Sequence, residues 1–261
     1  MDIAQTASAA LVAWLLLGEP LFGRRSHRRM LAALDAGQPR ARLCFYRQWT
    51  WQAWLLAAIT TAVVLAQGWS LEQVGLRLPA TPAGVSQDFI GGLVGALVAG
   101  MALGVGFARR RRTATAQPAT PRVAGGDKVL RMLPRTGAER WGFAALAVTA
   151  GLTEEWIWRG FGAAALHAAW PQAPLAASVL VLALAFGWAH VYQGLSGVLA
   201  TGVLGALLAW LYLGTGSLLL PMLLHVLIDL RALLVPVEAG TVAGALHTAD
   251  VQTSIQDRGN P

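Results

Sequence analysis

Three short stretches put ionisable residues inside segments apolar enough to sit in lipid: Glu154, Glu155 and Arg159 in "EEWIWR", His190 in "FGWAH", and His225 and Asp229 in "HVLID". Such groups cost about 2.5 to 3.5 kcal/mol each at the centre of a membrane helix, so they turn toward a bundle interior or cavity and mark function. On a helix of 3.6 residues per turn, Glu155 and Arg159 share a face with the acid first, the favourable order for an ion pair, while Glu154 points about 100° away. The pair neutralises itself and leaves Glu154 chemically available. His225 and Asp229 are also four apart, and His190 follows Phe186 by four. Three helices can therefore aim a carboxylate, two imidazoles and a second acid at one point. That inventory activates water with or without a metal. The remaining polar residues nearby read as structural. Arg231 is a snorkelling anchor near the cytoplasmic end of its span, His167 lies at the interface beside Trp170 and Pro171, and Gly160 and Gly162 allow close helix packing.

The elements that must position these groups are membrane helices. Of the 261 residues 56% are hydrophobic and only 13% charged, and the mean hydropathy is +0.53. An ordinary soluble domain carries about 25% charged residues. The net charge of +7 and pI of about 10.9 come from basic residues clustered beside apolar spans. No nucleic-acid motif accompanies them, so nucleic acid is not an expected partner and the lipid bilayer is. A single cysteine, Cys44, excludes an intramolecular disulfide and a multi-cysteine metal site. The first apolar segment follows Asp2 rather than a basic stretch and precedes Arg24, Arg25, Arg28 and Arg29, so it is expected to stay as a span.

About 20 apolar residues cross a bilayer. That criterion predicts an all-α, polytopic transmembrane helical bundle of about seven spans, near 4–22, 49–68, 88–107, 140–168, 174–192, 196–213 and 216–236. Arginine-rich connections after the first and third spans place both on the cytoplasmic side. The multi-pass chain then has its N-terminus outside and its C-terminus inside the cell membrane. Trp49, Trp51, Trp54, Trp69 and Trp170 fall where interfacial anchors belong. Gly91, Gly95, Gly100 and Gly104 in the third span make two small-xxx-small steps for helix packing. Residues 1–236 form one integral-membrane domain with a motif-bearing core at 140–236, and the polar stretch 237–261 is expected to be a disordered cytoplasmic tail. The fourth span, about 43 Å long at 1.5 Å per residue, must tilt or begin in the interface. Glu154, His190 and Asp229 then approach one depth, in the cytoplasmic half.

In order and approximate spacing, the three motifs match EExxxR, FxxxH and HxxxN or HxxxD. The chain thereby resembles the CPBP family of intramembrane endopeptidases (CAAX-processing and bacteriocin-processing, also called Abi), bacterial members in particular, and the stretches "VGLRLP" and "RMLPRTGAERWGF" strengthen the likeness. The resemblance implies a helical membrane fold around a polar cavity open toward the cytosol, and hydrolysis of a peptide bond in a membrane-associated peptide or lipopeptide. It implies that Glu154 and His190 activate water, that His225 and Asp229 stabilise the oxyanion, and that Glu155 and Arg159 support them. Asp229 stands where prenyl-protein endopeptidases carry asparagine. An ionised Asp repels an oxyanion, so it must be protonated, orient His225 or bind a cation. The family is usually called metalloprotease, and His190, His225 and Asp229 would be an acceptable open zinc set. Two other readings stay open. One is a non-catalytic immunity or partner-binding protein of the same family. The other is a proton-coupled transporter, which seven unequal spans without repeats make the weaker.

Overall fold

The computed structural model describes residues 2–78, 95 and 125–235, and among them every regular element is a helix. Helix α1 spans Ile3–Asp35 with a π-helical segment at Trp14–Gly18, and α2 spans Ala41–Ala66. A short α3, Gly126–Leu130, precedes α4, which runs through 137–169 as Gly137–Glu154, a π-helical Glu155–Phe161, and Gly162–Ala169. Then follow α5 (Leu175–Ala189), α6 (Leu195–Thr215) and α7 (Leu219–Leu230), the last closing in a 3-10 turn, Arg231–Leu234. Six of the seven expected spans thus appear as helices. The third, with its glycine steps, lies outside the described residues except for Gly95, and so does the stretch 237–261.

Three of these helices, α1, α2 and α6, are long and apolar enough to cross a membrane, and α5 is a shorter apolar helix. The chain is a helical membrane protein. Helix α4, charged at its middle, and α7, with 12 residues, are not among the three. The apolar surface that remains exposed fits this setting: Leu17, Leu55, Leu184, Leu199 and Val203 all point out of the bundle.

Helix α1 is longer than its apolar run. The arginine-rich stretch after residue 22, expected as a connection, is helical as far as Asp35, because its residues alternate with helical period. Gly23, Ser26, His27 and Met30 turn inward while Arg24, Arg25, Arg28 and Arg29 turn out. A turn with Gly37 at φ +69° separates it from α2. The second basic connection returns to the same place. Arg131 pairs with Asp35, Arg42 Nε donates to the Arg131 carbonyl at 2.9 Å, and the Tyr46 hydroxyl donates to the Met132 carbonyl. The two connections expected to share one side of the membrane therefore lie together.

Local signals set the start of α4. Thr136 caps it and Glu139 bonds back to the Thr136 amide, a capping box read directly from "TGAE". Glu139 also pairs with Arg42 of α2 at 3.4 Å. The π-helical segment lies deeper, where Trp156, Ile157, Trp158 and Phe161 are buried in the main core with Leu182 and Phe186 of α5 and Leu56 and Val64 of α2.

The expected tryptophan anchors divide. Trp51 is exposed and Trp54 partly so, its indole donating to Thr149 Oγ1 at 3.2 Å. Trp49 turns inward instead, edge-on to Phe22 and beside Tyr192, and Trp69 packs near Phe161. Aromatic rings at a span end serve packing as readily as anchoring.

Close backbone approach brings the motif helices together. At Gly151 a Cβ would sit 2.8 Å from the Val226 nitrogen of α7, and at Gly187 it would sit 2.9 Å from the Val198 carbonyl oxygen of α6. A side chain at either place must push one helix off another. Gly151→Val is expected to destabilise the protein by about 1–3 kcal/mol. By contrast Gly137, with nothing within 4 Å of an added Cβ, tolerates alanine with an unchanged midpoint. Thermal unfolding of the detergent-solubilised protein checks both.

Candidate active site

The centre of the arrangement is the carboxylate of Glu155, whose side chain is 0% exposed. Its Oε1 accepts from Arg159 NH1 at 2.8 Å, the pair expected from the i,i+4 spacing, and also from His225 Nδ1 at 2.7 Å. The second bond was not expected: one oxygen joins the first motif to the third. Arg159 in turn donates through NH2 to the Gly205 carbonyl of α6 at 3.2 Å and lies over the Phe186 ring of α5, 4.2 Å from its centroid. A Cβ at position 205 would meet Phe186 at 3.1 Å and Arg159 at 3.4 Å, so glycine leaves room for the guanidinium.

Glu154 is turned away from this brace. Its Oε2 is buried, has no hydrogen-bond partner and lies 3.9 Å from His190 Nε2. His190 ends α5, and its Nδ1 donates to the Phe186 carbonyl at 2.8 Å. A carbonyl only accepts, so Nδ1 carries the proton, and in the neutral ring Nε2 carries the lone pair that faces Glu154. His225 is oriented the same way. With Nδ1–H on Glu155, its Nε2 looks toward Asp229 Oδ2 at 3.8 Å, too far for a hydrogen bond. The Phe186 ring touches both histidines, 4.7 Å from His190 and 6.0 Å from His225 between centroids.

The structure therefore brings Glu154, Glu155, Arg159, His190, His225 and Asp229 into one region, with Glu155, Arg159 and His225 buried and Glu154, His190 and Asp229 half-buried. They lie on the side where the basic connections gather, since His190 stacks toward Tyr192, Tyr192 toward His27, and His27 Nε2 meets the Lys128 carbonyl. His167 stays apart from it, beside Trp170 at the opposite end of α4, and Arg231 is exposed but within electrostatic reach of Asp229. Among the described residues no group of three or more His, Cys, Asp or Glu is placed to hold a metal ion. The set of His190, His225 and Asp229 is divided, each imidazole Nε2 facing a different carboxylate. As placed it does not form a zinc site, and no step below passes through one.

Two polar residues not singled out from sequence adjoin the site. Glu19, first residue after the π-helical segment of α1, accepts from Gln52 Nε2 at 3.2 and 3.1 Å and is within electrostatic reach of Glu154. Tyr192 stacks on His190 and feels Glu19, Glu154 and Asp229 together. A carboxylate at position 19, inside the first apolar run, carries the same signal that marks Glu154. Gln52 and Tyr192 carry none, being uncharged residues at a helix face and in a short turn.

A helical membrane bundle with buried acids and imidazoles on its inner faces defines the class. Residues 136–231 match the family described as Rce1-like, type II CAAX prenyl endopeptidase, and the matched segment is a domain of that family. It contains all three motifs and opens at Thr136, the cap of α4, so the resemblance read from "EEWIWR", "FGWAH" and "HVLID" holds. Neither a curated protein nor a solved structure matches the chain.

Removing one partner of a buried pair strands the other. Glu155→Ala leaves Arg159 and the His225 Nδ1–H without an acceptor and is expected to destabilise the protein by about 3–5 kcal/mol. Adding Arg159→Met to it should recover part of the loss. Thermal denaturation of the two variants in detergent compares them.

Proposed function

We propose that the protein is an intramembrane endopeptidase that hydrolyses a peptide bond in a membrane-associated peptide or lipopeptide, with Glu154 and His190 activating water. The observation that carries this is the facing of two acceptors: an unpartnered Glu154 oxygen and the lone-pair nitrogen of His190, 3.9 Å apart. Two acceptors do not bond each other, but one water donates a proton to each and keeps its own lone pairs free to attack. The Rce1-like match supports peptide hydrolysis as the reaction.

In the proposed step Glu154 takes a proton from water as the oxygen adds to the scissile carbonyl carbon. The charge that develops on the carbonyl oxygen falls to His225. Its Nδ1–H is held by Glu155, so the proposed donor is Nε2, which carries a proton for this step. Collapse of the tetrahedral intermediate breaks the C–N bond, and the leaving amine takes the proton held by Glu154. Asp229, 3.8 Å from that same Nε2, has no hydrogen bond to it and is not itself an oxyanion donor. The 3.9 Å facing has no part in an immunity protein that only binds a partner.

The bilayer is proposed to be the cell membrane, with the site toward the cytoplasm and the N-terminus outside. The convergence of both basic connections near the site supports this.

Glu154→Gln keeps the shape and removes the base. It is expected to lower cleavage of a membrane peptide by about 10²–10⁴-fold with no change in unfolding midpoint. The measurement is peptide release by mass spectrometry from proteoliposomes, and cleavage at the wild-type rate would sink the reading. Cys44, exposed at the start of α2, tests orientation: a membrane-impermeant maleimide should label it in opened vesicles and not in intact cells.

A further inference from the structure

Helix α1 carries four arginines, Arg24, Arg25, Arg28 and Arg29, on the outward face of the turns that follow its apolar run, and all four are exposed. Among the described residues no acid forms an ion pair with any of them, and Asp35, at the end of the same helix, is taken by Arg131. Arg24 with Arg28 and Arg25 with Arg29 are four apart, a spacing at which like charges destabilise a helix. The stripe therefore gains from an anion. What lies below it says which kind. Leu17 and Leu21, about one turn apart on the same helix, are exposed. At about 100° per residue Arg28 falls about 20° from the line of Leu21 and about 10 Å further along the axis, with Arg24, Arg25 and Arg29 within about 80° of that line. One face thus runs without a break from apolar side chains to guanidinium groups. The opposite face is fixed to the bundle. His27 packs beside Tyr192, 5.7 Å between ring centroids, a Cβ at Gly23 would meet the Tyr192 ring at 3.0 Å, and Met30 is buried with Phe45 and Tyr46. The arginines are held outward, because turning the helix would break these contacts.

We propose that this face of α1 is a binding site for an anionic phospholipid, its acyl chains along Leu17 and Leu21 and its phosphate on Arg24, Arg25 and Arg28. A free anion would use the arginines and leave the leucines bare, whereas a lipid fills both halves, with its charge at the end of its chains. Arginine suits the phosphate because its planar fork donates two hydrogen bonds to one headgroup. Four or more basic residues just beyond the cytoplasmic end of a span attract acidic lipids, and here they stand on a helix of fixed orientation. Lipid binding does not depend on peptide hydrolysis. It anchors the turn of α1 that packs on Tyr192, which itself stacks on His190.

The experiment uses full-length protein in a neutral detergent, where orientation in a membrane plays no part. Phosphatidylglycerol or phosphatidylcholine with the same acyl chains is titrated in, and retained lipid is counted by native mass spectrometry. Phosphatidylglycerol is expected to bind about tenfold tighter, the ratio worth one to two arginines beside an anionic headgroup. In the double variant Arg24→Gln, Arg28→Gln the ratio should fall to within about twofold. In Arg40→Gln, Arg47→Gln, which removes the same charge from exposed positions off α1, it should persist. Glycerol phosphate and hexaglutamate, each at about tenfold excess, should leave the lipid bound. Equal binding of the two lipids, a preference that survives Arg24→Gln, Arg28→Gln, or an equal fall in both double variants overturns the proposal. So does displacement by glycerol phosphate, which marks a site for a free anion, or by hexaglutamate, which marks one for an acidic protein. The lipid comparison and both competitions use the wild-type chain, so they decide the matter even where a substitution impairs folding.

Discussion

Much of the structure depends on one oxygen, Glu155 Oε1, which accepts from both Arg159 and His225 deep inside the bundle. A carboxylate and a guanidinium taken out of water lose solvation worth several kcal/mol each, and only close, complete pairing offsets it. That requirement constrains more than one helix. The guanidinium must also find the Gly205 carbonyl of α6 and the face of Phe186 in α5, and the imidazole must come from α7. Four helices are thus referred to a single charged centre, and the side chains proposed to do chemistry are oriented by it.

Helix geometry makes that centre reachable. Backbones approach at Gly151 and Val226 and at Gly187 and Val198, so α7 and α6 come close enough for short side chains to meet. Two π-helical segments adjoin acids, Trp14–Gly18 just before Glu19 and Glu155–Phe161 just after Glu154. A π-helical turn interrupts the regular ladder and frees backbone groups, and such turns recur at functional sites. In the first of them the Leu16 carbonyl accepts from the Trp188 indole of α5 at 2.8 Å, which docks α1 onto a motif helix.

The polarity of the site follows from the acceptor to which each histidine commits its Nδ1–H. His190 donates Nδ1–H to a carbonyl and shows a lone pair to Glu154, while His225 donates Nδ1–H to the Glu155 carboxylate. One imidazole thus suits proton acceptance and the other proton donation, although the residue type is the same. The proposed division of labour in peptide hydrolysis rests on that difference. It also gives Asp229 a place beside His225 that does not require it to face an oxyanion.

The sequence by itself determined the helical class, six of the helices and the Glu155–Arg159 pair, because each follows from composition or from spacing along one helix. It also picked out Glu154, His190, His225 and Asp229, because an ionisable residue in an apolar run is expensive wherever the helix packs. Periodicity carried the reading too little way in α1, where inward Gly23, Ser26, His27 and Met30 continue the helix beyond its apolar run. The partners across helices were decided only by tertiary structure: Glu155 with His225, Arg159 with Gly205, Glu19 with Gln52. Spacing along a chain fixes angles about one axis and says nothing of how two axes are set against each other. That setting comes from close backbone contacts and from where buried charge finds its partner.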